Sequence, residues 1–234
     1  MIKIRRNSER GHVNWGWLDS YYTFSFGNYY DPEFMGFSKL RVMNEDWISG
    51  GGGFDTHPHN DMEIITYVME GALEHKDSMG NSSVINAGEL QKMTAGSGVI
   101  HSEYNASENE KVHLLQIWII PDKTGLKPSY QQISIDIDKK GSDLILVAAG
   151  NSKNNNKIIS INQDSDIYMG LLKEEENIKT SFGSDRNIWI QLINGSLLLS
   201  GKKMEAGDGA LVIQEKEFNI ISEMKSEFLL FNMN

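Results

Sequence analysis

Glycine cuts this chain into short apolar runs, and nothing else in the sequence limits the fold as much. Glu63–Glu70 (EIITYVME) is rich in β-branched and aromatic residues and stops at Gly71. Leu73–His75 starts a return run, Met79-Gly80-Asn81 turns it, Val84-Ile85 resumes, and Gly88 turns again into Leu90–Met93. Gly96-Ser97-Gly98 introduces Val99–Glu103. Val112–Ile120 (VHLLQIWII), the most apolar run, ends at Pro121. Short strands with turns about every 8–12 residues predict a sandwich or barrel. In Glu63–Glu70 the apolar residues fall on both parities, Ile64 and Val68 against Ile65 and Tyr67, so this strand is expected to be buried on both faces. Upstream, a dense aromatic segment (Trp15, Trp17, Tyr21, Tyr22, Phe24, Phe26 and onward to Phe37) is broken by Gly16, Gly27, Gly36 and Asp31-Pro32. Packing is the favoured role for most of these rings, with some lining a pocket as the sharper alternative.

The pattern occurs twice. MEGALEHKDS at Met69 aligns with INGSLLLSGK at Ile193, placing Gly71 on Gly195. NAGELQKM at Asn86 aligns with EAGDGALV at Glu205, placing Gly88 on Gly207, and KVHLLQIW at Lys111 resembles KSEFLLFN at Lys225. The order is kept while the loops shorten, which predicts two β-barrels of similar topology. Residues 125–132 read as the connection and the Asn-rich 150–157 as an exposed loop. Alternation resumes at Ile133, Ile135 and Ile137.

Four of the six histidines lie between Gly50 and Glu103. His57/His59 and His101/Glu103 are both spaced i, i+2, so on strands each pair shares a face. Two such strands facing one another offer three imidazoles and a carboxylate to one point, a donor set for a divalent transition metal such as Fe, Ni, Cu or Zn. The odd parity continues through Asp61 to Glu63, so Glu63 is a further inward-facing candidate. His75 and His113 read as packing or hydrogen-bonded core residues. Counted from the matching glycines, the second half has Ser181, Gly183, Ile220 and Ser222 at the four positions, and no histidine follows His113. One metal, in the N-terminal half only, is the expectation.

Composition closes off other classes. A net charge of −10 with no Lys/Arg cluster argues against direct nucleic-acid binding. No cysteine is present, which removes disulfides, thiolate ligands and a cysteine nucleophile. Neither a signal-type apolar run near Met1 nor a membrane-length stretch is visible, so a cytoplasmic protein, monomeric and away from membranes, is expected.

The metal-type residues also carry a resemblance. Gly51-x5-His57-x-His59-x3-Glu63 resembles the first cupin motif, with the interval from Glu63 to Gly71 one residue longer than usual. Gly88-x5-Thr94-x-Gly96 followed by His101-x3-Asn105 resembles the second, with Thr for Pro and two extra residues before the histidine. With those departures, TFSFGNYYDPEFMGFSKLRVMNEDWI, GFDTHPHNDMEIITYVMEGALEHKDSMGN, GELQKMTAGSGVIHSEYN and KPSYQQ are similar to the pirin family, densely over residues 1–132 and thinly beyond.

The resemblance implies an all-β bicupin of two consecutive antiparallel barrels of the double-stranded β-helix or jelly-roll type. Residues 1–132 would be the metal-binding cupin and 133–234 a cupin-like domain lacking ligands. It implies His57, His59, His101 and Glu103 as ligands of one metal per chain, Fe(II) ahead of Cu, Ni, Co, Mn or Zn. General cupins take their carboxylate ligand from the Glu63 position, so Glu63 stays as a carboxylate near the metal or the substrate. The resemblance is greatest to bacterial pirin-like quercetin 2,3-dioxygenases. It implies cleavage of a flavonol with O2 and release of CO, with Glu103 or Glu63 as general base toward the 3-hydroxyl. Other pirins are iron-containing regulators that contact transcription factors or metabolic enzymes. The same four ligands would serve that role, with a protein partner and no flavonol.

Overall fold

The computed structural model describes residues 1–135, 143–150 and 157–234. Among these, the regular structure is β-strand apart from one 3-10 turn at Asn7–Glu9. Ile137 and residues 151–156 of the Asn-rich segment lie outside the described residues.

Two sandwiches follow one another, each a seven-stranded sheet facing a four-stranded one, and the sheets are open rather than closed. In the first, the large sheet runs edge to edge through Ser129–Ser134, Glu89–Thr94, Glu63–Glu70, Val112–Ile119, Leu40–Ile48, Leu18–Tyr22 and Gly11–Asn14. Its small sheet runs Gly53–His59, Val99–Asn105, Ala72–Asp77, Ser82–Asn86. In the second, the large sheet runs Ile2–Arg5, Gly209–Ile213, Asn187–Asn194, Ser226–Met233, Ser165–Leu172, Ile145–Gly150 and Ile159–Ile161. Its small sheet runs Asn177–Ser181, Glu217–Ser222, Ser196–Leu199, Lys202–Glu205. Ladders are antiparallel, except where Ala148–Gly150 runs parallel to Ile159–Ile161. Two strands lie where sequence order alone would not put them. Ile2–Arg5 is hydrogen-bonded to Gly209–Ile213 in the second sandwich. Ser129–Ser134 pairs with Glu89–Thr94, so a division at 132/133 runs through an edge strand of the first.

The large sheets pack back to back. Leu40, Met43, Ile65, Tyr67 and Ile117 of the first form one core with Ile167, Met169, Trp189, Leu229 and Phe231 of the second. Separate cores fill each sandwich. Glu63–Glu70 therefore packs on both faces, as its double parity requires. Ile65 and Tyr67 enter the shared core, while Val68 and Ile64 turn inward. The aromatic segment divides likewise: Phe24 and Phe34 pack in the shared core, with Phe24 on Trp189 at 5.0 Å between ring centroids.

The repeat is visible in the turns. Gly71 and Gly195 have φ of 74° and 90°, a left-handed conformation that favours glycine. A side chain at either would also collide with a carbonyl oxygen, that of Lys111 in one copy and Lys225 in the other. Those two lysines are aligned in the repeat.

Candidate metal centre

Strands Gly53–His59 and Val99–Asn105 lie side by side with His101 opposite His57. His101 pairs with His57 but Glu103 with Phe54, so Gly53–His59 carries one extra residue between Phe54 and His57, a bulge, while Val99–Asn105 runs regularly along Ala72–Asp77. The three imidazoles converge, with ring centroids 4.4 Å apart for His57–His101, 4.8 Å for His57–His59 and 4.9 Å for His59–His101. Their ligand nitrogens all lie within 4.8 Å of one another. Glu103 meets the same limit with His101 and His75.

The protonation states fit a cation. His57 Nδ1 is 2.7 Å from the Asp55 carbonyl oxygen, so it donates there and leaves Nε2 with a lone pair. His101 Nε2 is buried and has no hydrogen-bond partner among the described residues. Burial, helped by the neighbouring imidazoles, pushes His59 down to about 4 and His101 to about 3, so both are neutral at pH 7. The buried Glu103 carboxylate accepts from Gln116 Nε2 at 3.1 Å and from Thr66 Oγ1 at 3.5 Å. Neutral imidazoles, one carboxylate and an orphaned buried nitrogen among them make a site whose donors suit a divalent transition metal.

A cavity of about 370 Å³ opens over this cluster. Trp15, Phe26, Phe54, Ile64 and Trp118 supply its apolar wall. Trp118 sets its indole edge-on to His59 at 4.9 Å, and Phe26 sits edge-on to Trp118 at 5.5 Å. Asn44 and Asp46 line the same cavity. Asp46 accepts a hydrogen bond from Ser20, yet burial, reinforced by the charge on Glu103, pushes its carboxyl up to about 7. The sequence reading missed both residues. Their one signal was polar and acidic side chains inside Leu40–Ile48, a strand bounded by apolar residues.

Glu63 stands elsewhere. Its strand belongs to the large sheet while His57 and His59 belong to the small one, and Asp61 between them takes a left-handed turn with φ 48°. Parity counted across that turn has no meaning. Ile64, not Glu63, faces the cavity. The Glu63 carboxylate is fully buried, 3.6 Å from Lys92 Nζ, and accepts from Asn162 Nδ2 at 3.2 Å, a residue of the second half. His113 is also outside the cavity lining, its Nε2 3.0 Å from Glu45 Oε1.

The second sandwich shows what fills the equivalent space. Glu103 pairs with His75 as Ile220 pairs with Leu199, and matching Gly71 to Gly195 fixes the register. Phe218 then occupies the position of His101 and Ile220 that of Glu103. Counting from Gly207 had assigned Ile220 and Ser222, two residues too far along. Ile190 and Leu230 pair where Thr66 and Gln116 pair in the first copy. All of these belong to the second apolar core, with Phe182 stacked on Phe218 at 6.1 Å. His101, Glu103, Thr66 and Gln116 thus have apolar counterparts, while Thr180, paired with Phe218, stands where His57 does.

Residues 3–119 match the family model Pirin, and residues 146–233 match that of the quercetinase C-terminal cupin domain. Over 234 residues the chain is 47% identical to quercetin 2,3-dioxygenase of Escherichia coli (strain K12), covering 100% of this chain and 99% of the relative. This chain belongs to the pirin family. The crystal structure of YhhW from Escherichia coli superposes on this pirin with a TM-score of 0.95 at 45% identity, covering 100% and 98% of the two chains. The same bacterial pirin in complex with nickel(II) gives 0.94 at 45% identity, covering 100% and 99%. A quercetin 2,3-dioxygenase from Acinetobacter baumannii, at 22% identity and a TM-score of 0.81 over 99% and 85% of the chains, shares the fold.

Proposed function

We propose that this chain is a metal-dependent dioxygenase that cleaves the flavonol quercetin with O2 and releases CO. The observation behind it is the aromatic-walled cavity of about 370 Å³ over His57, His59, His101 and Glu103. It occurs in a chain 47% identical from end to end to an Escherichia coli quercetin 2,3-dioxygenase. These four residues are the proposed ligands of one metal ion, Fe(II) first, with Cu, Ni, Co, Mn and Zn as alternatives. Nickel in the Escherichia coli structure supports a divalent ion of this class. The bound metal would polarise the flavonol oxygens as a Lewis acid and open a path for electrons to O2.

The remaining work falls to the side chains. Trp15, Phe26, Phe54 and Trp118 give a flat aromatic substrate broad faces and edges to pack on, and they keep water away from it. Glu103, steadied by Gln116 and Thr66, accepts the 3-hydroxyl proton as general base. Asp46 lines the same cavity and, with its value near 7, is the second group there able to hold a proton. Glu63 acts from outside the cavity, tying the first sandwich to Asn162 of the second. Functionally we divide the chain at 132/133, with the metal half before and a buttress after. No helix among the described residues is long and apolar enough to cross a membrane. A cytoplasmic, monomeric enzyme completes the proposal.

Oxygen uptake and CO release with quercetin, after reconstitution with Fe, Cu, Ni, Co and Mn one at a time, tests it. At least one metal should give turnover that His101→Ala abolishes. Metal bound without turnover by any of the five would turn the same ligands over to the regulatory role.

A further inference from the structure

We propose that His75 is a positioning residue for the metal centre. With Asp77 it forms a carboxylate–imidazole relay that fixes which nitrogen of His101 faces the ligand cluster. The proposal rests on the metal reading above.

His75 lies on Ala72–Asp77, paired opposite Glu103 in the small sheet, and its side chain is wholly buried. Its Nε2 is 3.2 Å from Asp77 Oδ2, and its Nδ1 is 3.5 Å from His101 Nδ1, the outer limit of hydrogen-bond length. Asp77 is firmly held. Oδ1 accepts from the backbone N–H groups of Met79 and Asn81 at 2.9 and 3.0 Å, and Oδ2 accepts from Asn81 Nδ2 at 2.7 Å.

A carboxylate only accepts, so His75 carries its proton on Nε2 and donates it to Asp77. The other nitrogen of a neutral imidazole can then only accept, so His75 Nδ1 receives the hydrogen of His101 Nδ1. This leaves the lone pair of His101 on Nε2, the buried nitrogen that has no partner among the described residues, on a ring that clusters with those of His57 and His59. Three links of fixed direction, beginning at one anchored carboxylate, therefore set the tautomer that coordination requires. Packing keeps the relay in place. Tyr130 lies against His75 at 5.2 Å between centroids, and its hydroxyl is held by Ser83 and Gln132. In the second sandwich both members are apolar: Leu199 stands for His75 where Phe218 stands for His101.

His75 is also near enough to His101 and Glu103 to be a ligand itself, so the test must separate the two roles. Full-length wild type, His75→Leu, His75→Gln and Asp77→Asn are titrated with Ni(II) against a competing chelator. Imidazole scatterers are counted by X-ray absorption on the loaded proteins. Thermal unfolding of the metal-free forms confirms that each is folded. His75→Leu should weaken Ni(II) binding by about 10- to 100-fold with the imidazole count unchanged. Asp77→Asn should weaken it less. His75→Gln, whose amide oxygen still accepts from His101, should recover most of the loss. Binding by His75→Leu within twofold of wild type overturns the proposal, as does a Gln variant no better than Leu. Loss of one imidazole scatterer in either His75 variant also overturns it, making His75 a ligand. If the Leu variant does not fold, the Gln and Asn variants decide. Wild type binding Ni(II) no better than His57→Ala would instead defeat the underlying metal reading.

Discussion

Asp46→Asn should make the stability of this protein less sensitive to pH, by an amount that can be worked out beforehand. Asp46 is buried against the cavity, and its carboxyl is raised from 3.8 to about 7, above all by desolvation. The unfolded chain gives up this proton near its ordinary value, while the folded chain holds it until about pH 7. Between those points the unfolded state binds fewer protons, so stability falls as pH rises, by about 1.4 kcal/mol per pH unit. The contribution is fully present below pH 3.8 and gone above about pH 7, a loss of about 4 kcal/mol. Asparagine keeps the acceptor for Ser20 and cannot ionise. Its new amide N–H groups carry a pH-independent cost of about 1–3 kcal/mol if unpaired. Urea unfolding of chelator-treated wild type and variant, compared at matched pH, isolates the effect. Chelator is needed because a cation beside Glu103 would draw Asp46 down. The variant should be slightly the less stable protein at pH 4 and the more stable one at pH 8. A stability difference that stays flat across this range, or grows in the other direction, refutes the reasoning.

Four further outcomes follow from the geometry. Glu63→Ala removes the counter-charge of buried Lys92 and should cost about 3–5 kcal/mol in denaturant unfolding while leaving metal content as in wild type. Glu103→Ala should show the converse, near-normal stability with poor metal retention; a metal-free Glu63→Ala protein beside a loaded Glu103→Ala protein would reverse the assignment. Elemental analysis should find one tightly held ion per chain, and two would defeat the reading of an apolar second sandwich. Gly96→Ala, at φ 47° with the Leu126 carbonyl in the way of a Cβ, should lower the melting temperature by several degrees, for a strain of about 1–3 kcal/mol.

That His57/His59 and His101/Glu103 face one cavity was legible because neither pair is interrupted within its own strand, where a period of two holds. Glu63 was misjudged because parity was carried through a left-handed turn at Asp61 into another sheet. The repeat was legible through Gly71, Gly88, Gly195 and Gly207, which adopt left-handed conformations that favour glycine. Its register at the site was not, since a loop differing by two residues leaves no trace in a count from one glycine. Asp46 and Asn44 were hidden for a different reason. Nothing local distinguishes a polar residue facing a cavity from one facing solvent, and only strands distant in sequence decide between them. The same holds for His75, whose meaning depends on a neighbour 26 positions away.

The pairing of Ile2–Arg5 with Gly209–Ile213 has a consequence for how this molecule is made. Roughly two hundred residues separate the partners, and at about 5–20 residues per second the first strand leaves the ribosome about 10–40 s before its mate exists. The first sandwich can close meanwhile, since its sheets draw on residues 11–134. The opening strand cannot. It waits as an unpaired edge, and Lys3 and Arg5 help to keep it from templating other chains. Maturation thus ends with a clasp: a strand made about two hundred residues before its partner is among the last to find its place, and the slowest step of assembly should track that closure.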